Sequence, residues 1–404
     1  MNLRHSLIAL PLVIVALAGC TSQPHAHTTD PASDSVGSGH GKISGAEEVA
    51  EPPLALVSID STGKIGLLDL LNDEAEQVGE QQQPLALASD GRYGFITTAN
   101  GIAVIDSGRW TWDHVDHFHY YRADFQPLGN LAGEGPATVT TSMLSTAGGT
   151  GIYFAGSGDA VLLDNSALAE GRLDEKFRVH VGSGIGVTAP LGDGALVSHG
   201  NQLIWHSADG SESDHAIACT EPKGSITTRA ALIIGCAEGA VLANLGTGQN
   251  TDPSIEMLPY PADIAAPRAG EFQARKGRPS VAALAGDDGF WLLNTREQSW
   301  QFVASDTALT RVTAVDDAEG HVLALSADGR VQVYLASTGE LVGSTDALLT
   351  EVTESTSLLV DDQRAYVNDP NAGLVHEIAY SGEVRVARTL ETPTTPFWLM
   401  EVGR

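Results

Sequence analysis

Positive charge is scarce in this chain of 404 residues. Lys and Arg number 22 against 51 Asp and Glu, a formal charge of −29 at pH 7. General nucleic-acid binding needs clustered Lys and Arg to neutralise phosphates, so that class is excluded. The same shortage argues against adhesion to anionic lipid through a basic face. Amphipathic helical periodicity is nearly absent. Charged residues make up only 18% and hydrophobic residues 42%, so the bulk of the chain buries a core and is not disordered. Cysteine is limited to Cys20, Cys219 and Cys236. There is no H-E-x-x-H, no G-x-S-x-G and no P-loop, which removes the commonest zincin, hydrolase and nucleotide signatures. What is abundant is glycine, 44 residues without low complexity, which points to many tight turns.

The first twenty residues read MNLRHSLIALPLVIVALAGC. Arg4 supplies a positive n-region and residues 6–16 a short apolar h-region, too short to span a bilayer as a mature helix. Leu17-Ala18-Gly19-Cys20 resembles the bacterial lipoprotein lipobox, which implies cleavage after residue 19 and lipidation of Cys20. Several acyl chains on one Cys anchor stably where a single chain is marginal. Residues 20–53 are rich in Thr, Ser, Pro, Gly, Asp and Glu and read as a flexible linker. It carries His25, His27 and His40, which read either as incidental polar residues or as a mobile metal-collecting arm. In an exported chain the two remaining cysteines, Cys219 and Cys236, are expected to pair, in preference to a metal or catalytic role.

From residue 54 a phrase recurs: a short apolar strand, a Gly-containing turn, a second apolar strand. It occupies residues 54–70, 85–106, 152–163, 195–206, 232–243, 281–293, 321–334 and 365–378. Asp-Gly turn dipeptides recur at 90–91, 193–194, 209–210, 288–289 and 328–329. Repeated β units at this spacing predict an all-β fold, a single β-propeller over residues 54–404. Eight phrases favour eight blades, with seven the alternative if the first and last share a closing blade. Two β-sandwiches are the competing architecture, but no linker divides the segment.

One segment is exceptional in its chemistry: Trp110-Thr111-Trp112-Asp113-His114-Val115-Asp116-His117-Phe118-His119-Tyr120-Tyr121. Three His and two Asp fall within residues 113–119. It is read as a loop entering the next blade. If residues 117–121 are extended, His117 and His119 point to one face, and His114 folds back from the preceding turn. Imidazoles with a carboxylate or water suit zinc, and Asp113 or Asp116 would serve as ligand or would orient an imidazole. A metal site is favoured over a polar surface loop with incidental histidines. His180, His199, His206, His215, His321 and His376 lie in or beside strands and read as structural. Asp69, Asp106 and Asp164, at strand ends, read as turn formers. Residues 182–186 read as a tight turn, since no helix follows.

The run 113–117, the paired cysteines, and the C-terminal stretches 365–370, 375–378 and 386–389 resemble the AztD-type bacterial zinc metallochaperones. That resemblance covers most of residues 54–404. It implies an exported β-propeller that hands zinc to the solute-binding protein of a zinc ABC transporter. This chain departs from the family pattern at turns 136–138, 184–186 and 222–224, which lack the histidines such turns carry. A site built from those turns is absent, so the 113–119 segment and the N-terminal arm are what remain for metal.

The expected function is therefore a lipid-anchored zinc-binding protein of the cell envelope, on the outer side of the cytoplasmic membrane, that buffers or delivers zinc. The competing readings are a non-metal interaction scaffold and, ranked last, a hydrolase or lactonase in the propeller channel; an enzyme is not expected. The lipobox generates a direct test. A Cys20→Ala variant expressed in a bacterial host is expected to lose incorporation of labelled fatty acid and to leave the membrane fraction. Unchanged labelling would place the lipid elsewhere or remove it.

Overall fold

The computed structural model describes residues 42–113, 117–246 and 252–404. Each phrase marks the second and third strands of one of eight four-stranded antiparallel sheets, and the phrase over 85–106 takes in the first strand, Ala86–Ser89, as well. Their apolar runs are continuous rather than alternating because both faces are covered. Ala55–Ile59, Tyr93–Thr98, Gly149–Phe154 and His321–Ser326 are buried at every position. Outermost strands such as Ala75–Glu80 and Glu212–Ala218 are mostly exposed.

Between neighbouring sheets the apolar side chains form eight core clusters, each shared by two consecutive sheets. Val57 and Ile65 of the first sheet pack with Ile96 and Ile105 of the second. Leu56 and Leu68 of the same first sheet pack with Tyr366 and Val375 of the last. The series therefore closes on itself, and the architecture is a β-propeller. Closure is also made by backbone hydrogen bonds: the C-terminal strand Trp398–Val402 is the innermost strand of the first sheet, paired antiparallel with Ala55–Ile59 from Ala55↔Val402 to Ile59↔Trp398.

One connection interrupts the repeat. Gly101–Asp106, third strand of the second sheet, is followed not by the fourth strand but by a hairpin, Arg109–Asp113 with Phe118–Arg122. Only then does Gln126–Ala132 return to complete the sheet. The strand Glu47–Val49 pairs with the outer edge of this hairpin, Glu48 opposite Tyr121, giving a small three-stranded sheet. The segment read from sequence as a loop is thus a hairpin within one unit, and the stretch read as linker ends in a strand that joins it.

Among the described residues there is one α-helix, Asn165–Ala169, and Asp164 caps it by accepting a hydrogen bond from the Ser166 amide at 2.9 Å. Asp69 accepts from the Leu71 amide at 3.0 Å, as a turn former does. Asp106 accepts from the Gly108 amide at 2.9 Å and also binds a buried arginine. Cys219 and Cys236 form a disulfide between two adjacent sheets. Its 17-residue separation corresponds to roughly 3 kcal/mol in the chain-entropy account. Such a bond forms and persists in oxidising, extracytoplasmic compartments.

His376, in the strand Leu374–Ala379, carries an energetic cost. Neither ring nitrogen has a hydrogen-bond partner, and Asp369 stands 3.9 Å away. Burial pushes its pKa below the usual imidazole value, outweighing the upward pull of Asp369. The unfolded chain then takes up this proton near pH 6.5 while the folded chain resists it, so the contribution is present above about pH 6.5 and lost as pH falls below it. Urea unfolding is expected to show a lower midpoint at pH 5.5 than at 7.5, with a shallower pH slope in His376→Leu. Identical slopes in the two proteins would remove His376 from the acid sensitivity.

Candidate metal centre

The hairpin is fixed at its root by a buried charge. Arg92 is fully buried and holds Asp106 through both ends of its guanidinium, Nε to Oδ1 at 3.0 Å and Nη2 to Oδ2 at 2.6 Å. Its face lies 3.9 Å from the ring centre of Trp110 on the first hairpin strand. Trp110 stacks in turn on buried Tyr121 of the second strand, with ring centres 5.1 Å apart. Gly108 makes the entry turn with φ of +69°, and a Cβ there would meet the Ala123 carbonyl oxygen at 2.2 Å. Thr111 donates to the Gly403 carbonyl at 2.7 Å, and Asp113 forms an ion pair with Arg229. Root, body and tip are each tied to a different part of the propeller.

At the tip two of the five residues expected as ligands, His117 and His119, approach each other. His119 sits in Phe118–Arg122 opposite Trp112, and His117 immediately precedes that strand. Alternation puts both on one face. Their Nε2 atoms are 2.9 Å apart. On the far side of His119, Nδ1 is 2.7 Å from Glu48 Oε1. A carboxylate only accepts, so Nδ1 carries the proton and Nε2 presents its lone pair to His117. That is the carboxylate–imidazole arrangement that orients metal-binding histidines. With Zn–N bonds of about 2.05 Å at a tetrahedral angle, two nitrogens stand about 3.3 Å apart. The pair therefore needs to open by only about 0.4 Å to seat an ion.

The sequence reading gave the orienting position to Asp113 or Asp116. Glu48 holds it at His119 Nδ1, while Asp113 engages Arg229. His114 and Asp116 lie outside the described residues, as do Cys20, His25, His27 and His40. Glu48 had no local signal: it is 71 residues from His119 and reaches it only because Glu47–Val49 pairs with the hairpin.

Of the histidines read as structural, His321 is buried with Nδ1 2.7 Å from Asp317 Oδ2, and His180 lies 3.4 Å from Asp159. His199 and His206 behave differently: they face each other, with Glu212 nearby, and form the one group of three metal-capable side chains within 4.8 Å among the described residues. No spacing motif marked them.

Fold and site together define a β-propeller with a histidine-bearing hairpin. No family model matches the chain. In fold it is similar to AztD from Citrobacter koseri, with a TM-score of 0.74 and 19% identity over 87% of this chain and 97% of that one. The apo form of AztD from the same organism superposes equally well, with a TM-score of 0.74 and 20% identity over 87% of this chain and 98% of that one. Hsv2p from Kluyveromyces lactis is more distant, with a TM-score of 0.50 and 10% identity over 77% of this chain and 99% of that one. The similarity is one of fold, and the AztD resemblance read from the sequence agrees with it.

If Glu48 orients His119 for a metal, Glu48→Gln is expected to weaken zinc binding at the hairpin by roughly 10- to 100-fold, the usual effect of an outer-sphere partner. Chelator competition measures it. Unchanged affinity would mean that the carboxylate does not serve the ligand.

Proposed function

We propose that the chain is an extracytoplasmic, lipid-anchored zinc-binding propeller, a binding protein rather than an enzyme, that buffers zinc or passes it to the solute-binding protein of a zinc ABC transporter. The observation that carries the reading is the convergence of His117 and His119 Nε2 at 2.9 Å with Glu48 behind His119. His114 and Asp116 are the further ligands the sequence offers to complete the coordination, and Asp113, held by Arg229, would support the site rather than bind the ion. Imidazole and carboxylate donors without thiolate suit zinc better than Cu(I). Export is supported by the disulfide, anchoring by the lipobox, and the delivery role by the sequence resemblance to AztD-type metallochaperones. The exposed position of His117 suits ligand exchange with an acceptor, and His25, His27 and His40 are further imidazoles the sequence offers for that transfer.

The test is zinc stoichiometry and affinity by elemental analysis and chelator competition, on the chain and on His117→Ala/His119→Ala. The expected result is loss of one bound zinc in the double variant. If the chain binds no zinc at neutral pH the reading fails, and a partner captured equally well with chelator present would favour a non-metal scaffold.

A further inference from the structure

The hairpin does not account for His199, His206 and Glu212. They end Gly194–His199, end Gln202–His206 and begin Glu212–Ala218, three adjacent strands of one sheet. Register sets Ala195 opposite His206 and His199 opposite Gln202, and then His206 opposite Glu212. All three side chains therefore share one face. We propose that they form a second site for a divalent cation of the zinc class, separate from the hairpin and of different character.

The two rings reach toward each other along the sheet. Their Nε2 atoms are 2.9 Å apart, ring centres 5.2 Å apart and planes 15° from parallel, so the rings meet end to end. His206 is buried, and its Nδ1 is 2.9 Å from the Gly210 carbonyl oxygen. A carbonyl only accepts, so in neutral His206 the proton is on Nδ1 and the Nε2 lone pair faces His199. This repeats the logic at His119 with a backbone carbonyl in place of a carboxylate. Glu212 Oε1 lies 4.0 Å from His199 Nε2, and its side chain is mostly exposed. Two imidazoles and a carboxylate, with water in a fourth position, form a recognised zinc ligand set. Phe177 packs against the His206 ring with centres 5.9 Å apart, shielding the inner side of the site. Burial first, then His206, holds the His199 pKa below the usual imidazole value, partly offset by Glu212, which favours the neutral form a ligand needs.

The bland alternative is a hydrogen bond in which His199 Nε2–H donates to His206 Nε2, with Glu212 incidental. The full chain separates the two readings. Zinc equivalents would be counted after dialysis against a competing chelator, and the Co(II) absorption spectrum would report tetrahedral nitrogen and oxygen ligation. His199→Gln and Glu212→Gln alter accessible groups, and far-UV circular dichroism checks their folding. The expected result is that His199→Gln loses one equivalent that His117→Ala/His119→Ala retains. Glu212→Gln should weaken that equivalent by at least about tenfold, since even outer-sphere losses cost that much. Wild-type zinc content and cobalt spectrum in both His199→Gln and Glu212→Gln would overturn this site and leave the hairpin reading standing. Loss confined to these variants, with the hairpin variant unchanged, would sustain this site and remove the hairpin from the proposed function. No zinc in any protein would overturn both.

Discussion

Everything in this propeller depends on the pairing of its last strand with its first. Trp398–Val402 lies against Ala55–Ile59 over five registered positions, joining residues more than three hundred apart in sequence. Without that contact the first sheet lacks its innermost strand, and the core clusters that flank it, one toward the second sheet and one toward the last, lose part of their apolar lining. The approach to the strand is secured by polar contacts. Buried Asn368 donates to the Pro396 carbonyl at 2.9 Å and to that of Phe397 at 3.2 Å. Ser58 and Thr394 are hydrogen-bonded at 2.8 Å. Each of these satisfies a group that would otherwise be buried without a partner. So long-range a closure costs chain entropy before it yields contact, and the shared apolar faces offset that cost.

The closed frame leaves the hairpin free of structural duty within the repeat. It is an excursion between the third and fourth strands of one sheet, so its tip can carry chemistry without touching the inter-sheet cores. Its position still has to be exact to within a bond length for ligands to converge. The Arg92–Asp106 pair and the stacked Trp110 provide that rigidity at the root. A buried guanidinium is expensive unless both faces and edges are engaged. Here Nε and Nη2 along one edge meet the two carboxylate oxygens and the face meets an indole, while Nη1 alone has no hydrogen-bond partner.

Two histidine pairs, on different sheets, share one device. In each, an acceptor on Nδ1 settles which nitrogen carries the proton and turns Nε2 toward a second imidazole. The acceptors differ: a carboxylate on a short terminal strand at His119, a turn carbonyl within the same sheet at His206. The first can be withdrawn by unpairing three residues of Glu47–Val49; the second is built into the turn that joins two strands.

How much of this was legible varies with physical cause. The eight phrases stood out because the second and third strands of each sheet are buried on both faces, and that writes a continuous apolar run such as Ala55–Ile59. Apart from Ala86–Ser89, first and fourth strands were not legible: Glu212–Ala218 is exposed along most of its length and carries no periodic signal. His117 and His119 could be placed on one face from alternation alone. Their partner Glu48 could not, nor could the meeting of His199 with His206, since sequence contains alternation within a strand but not the register between strands. The chain by itself determined the repeated β fold, the cysteine pair and the net negative charge, because burial and charge are properties of composition and local pattern. Which histidines meet, and which acceptor sets their protons, only the tertiary structure decided, because those contacts arise from strand pairing and turns that the sequence pattern does not specify.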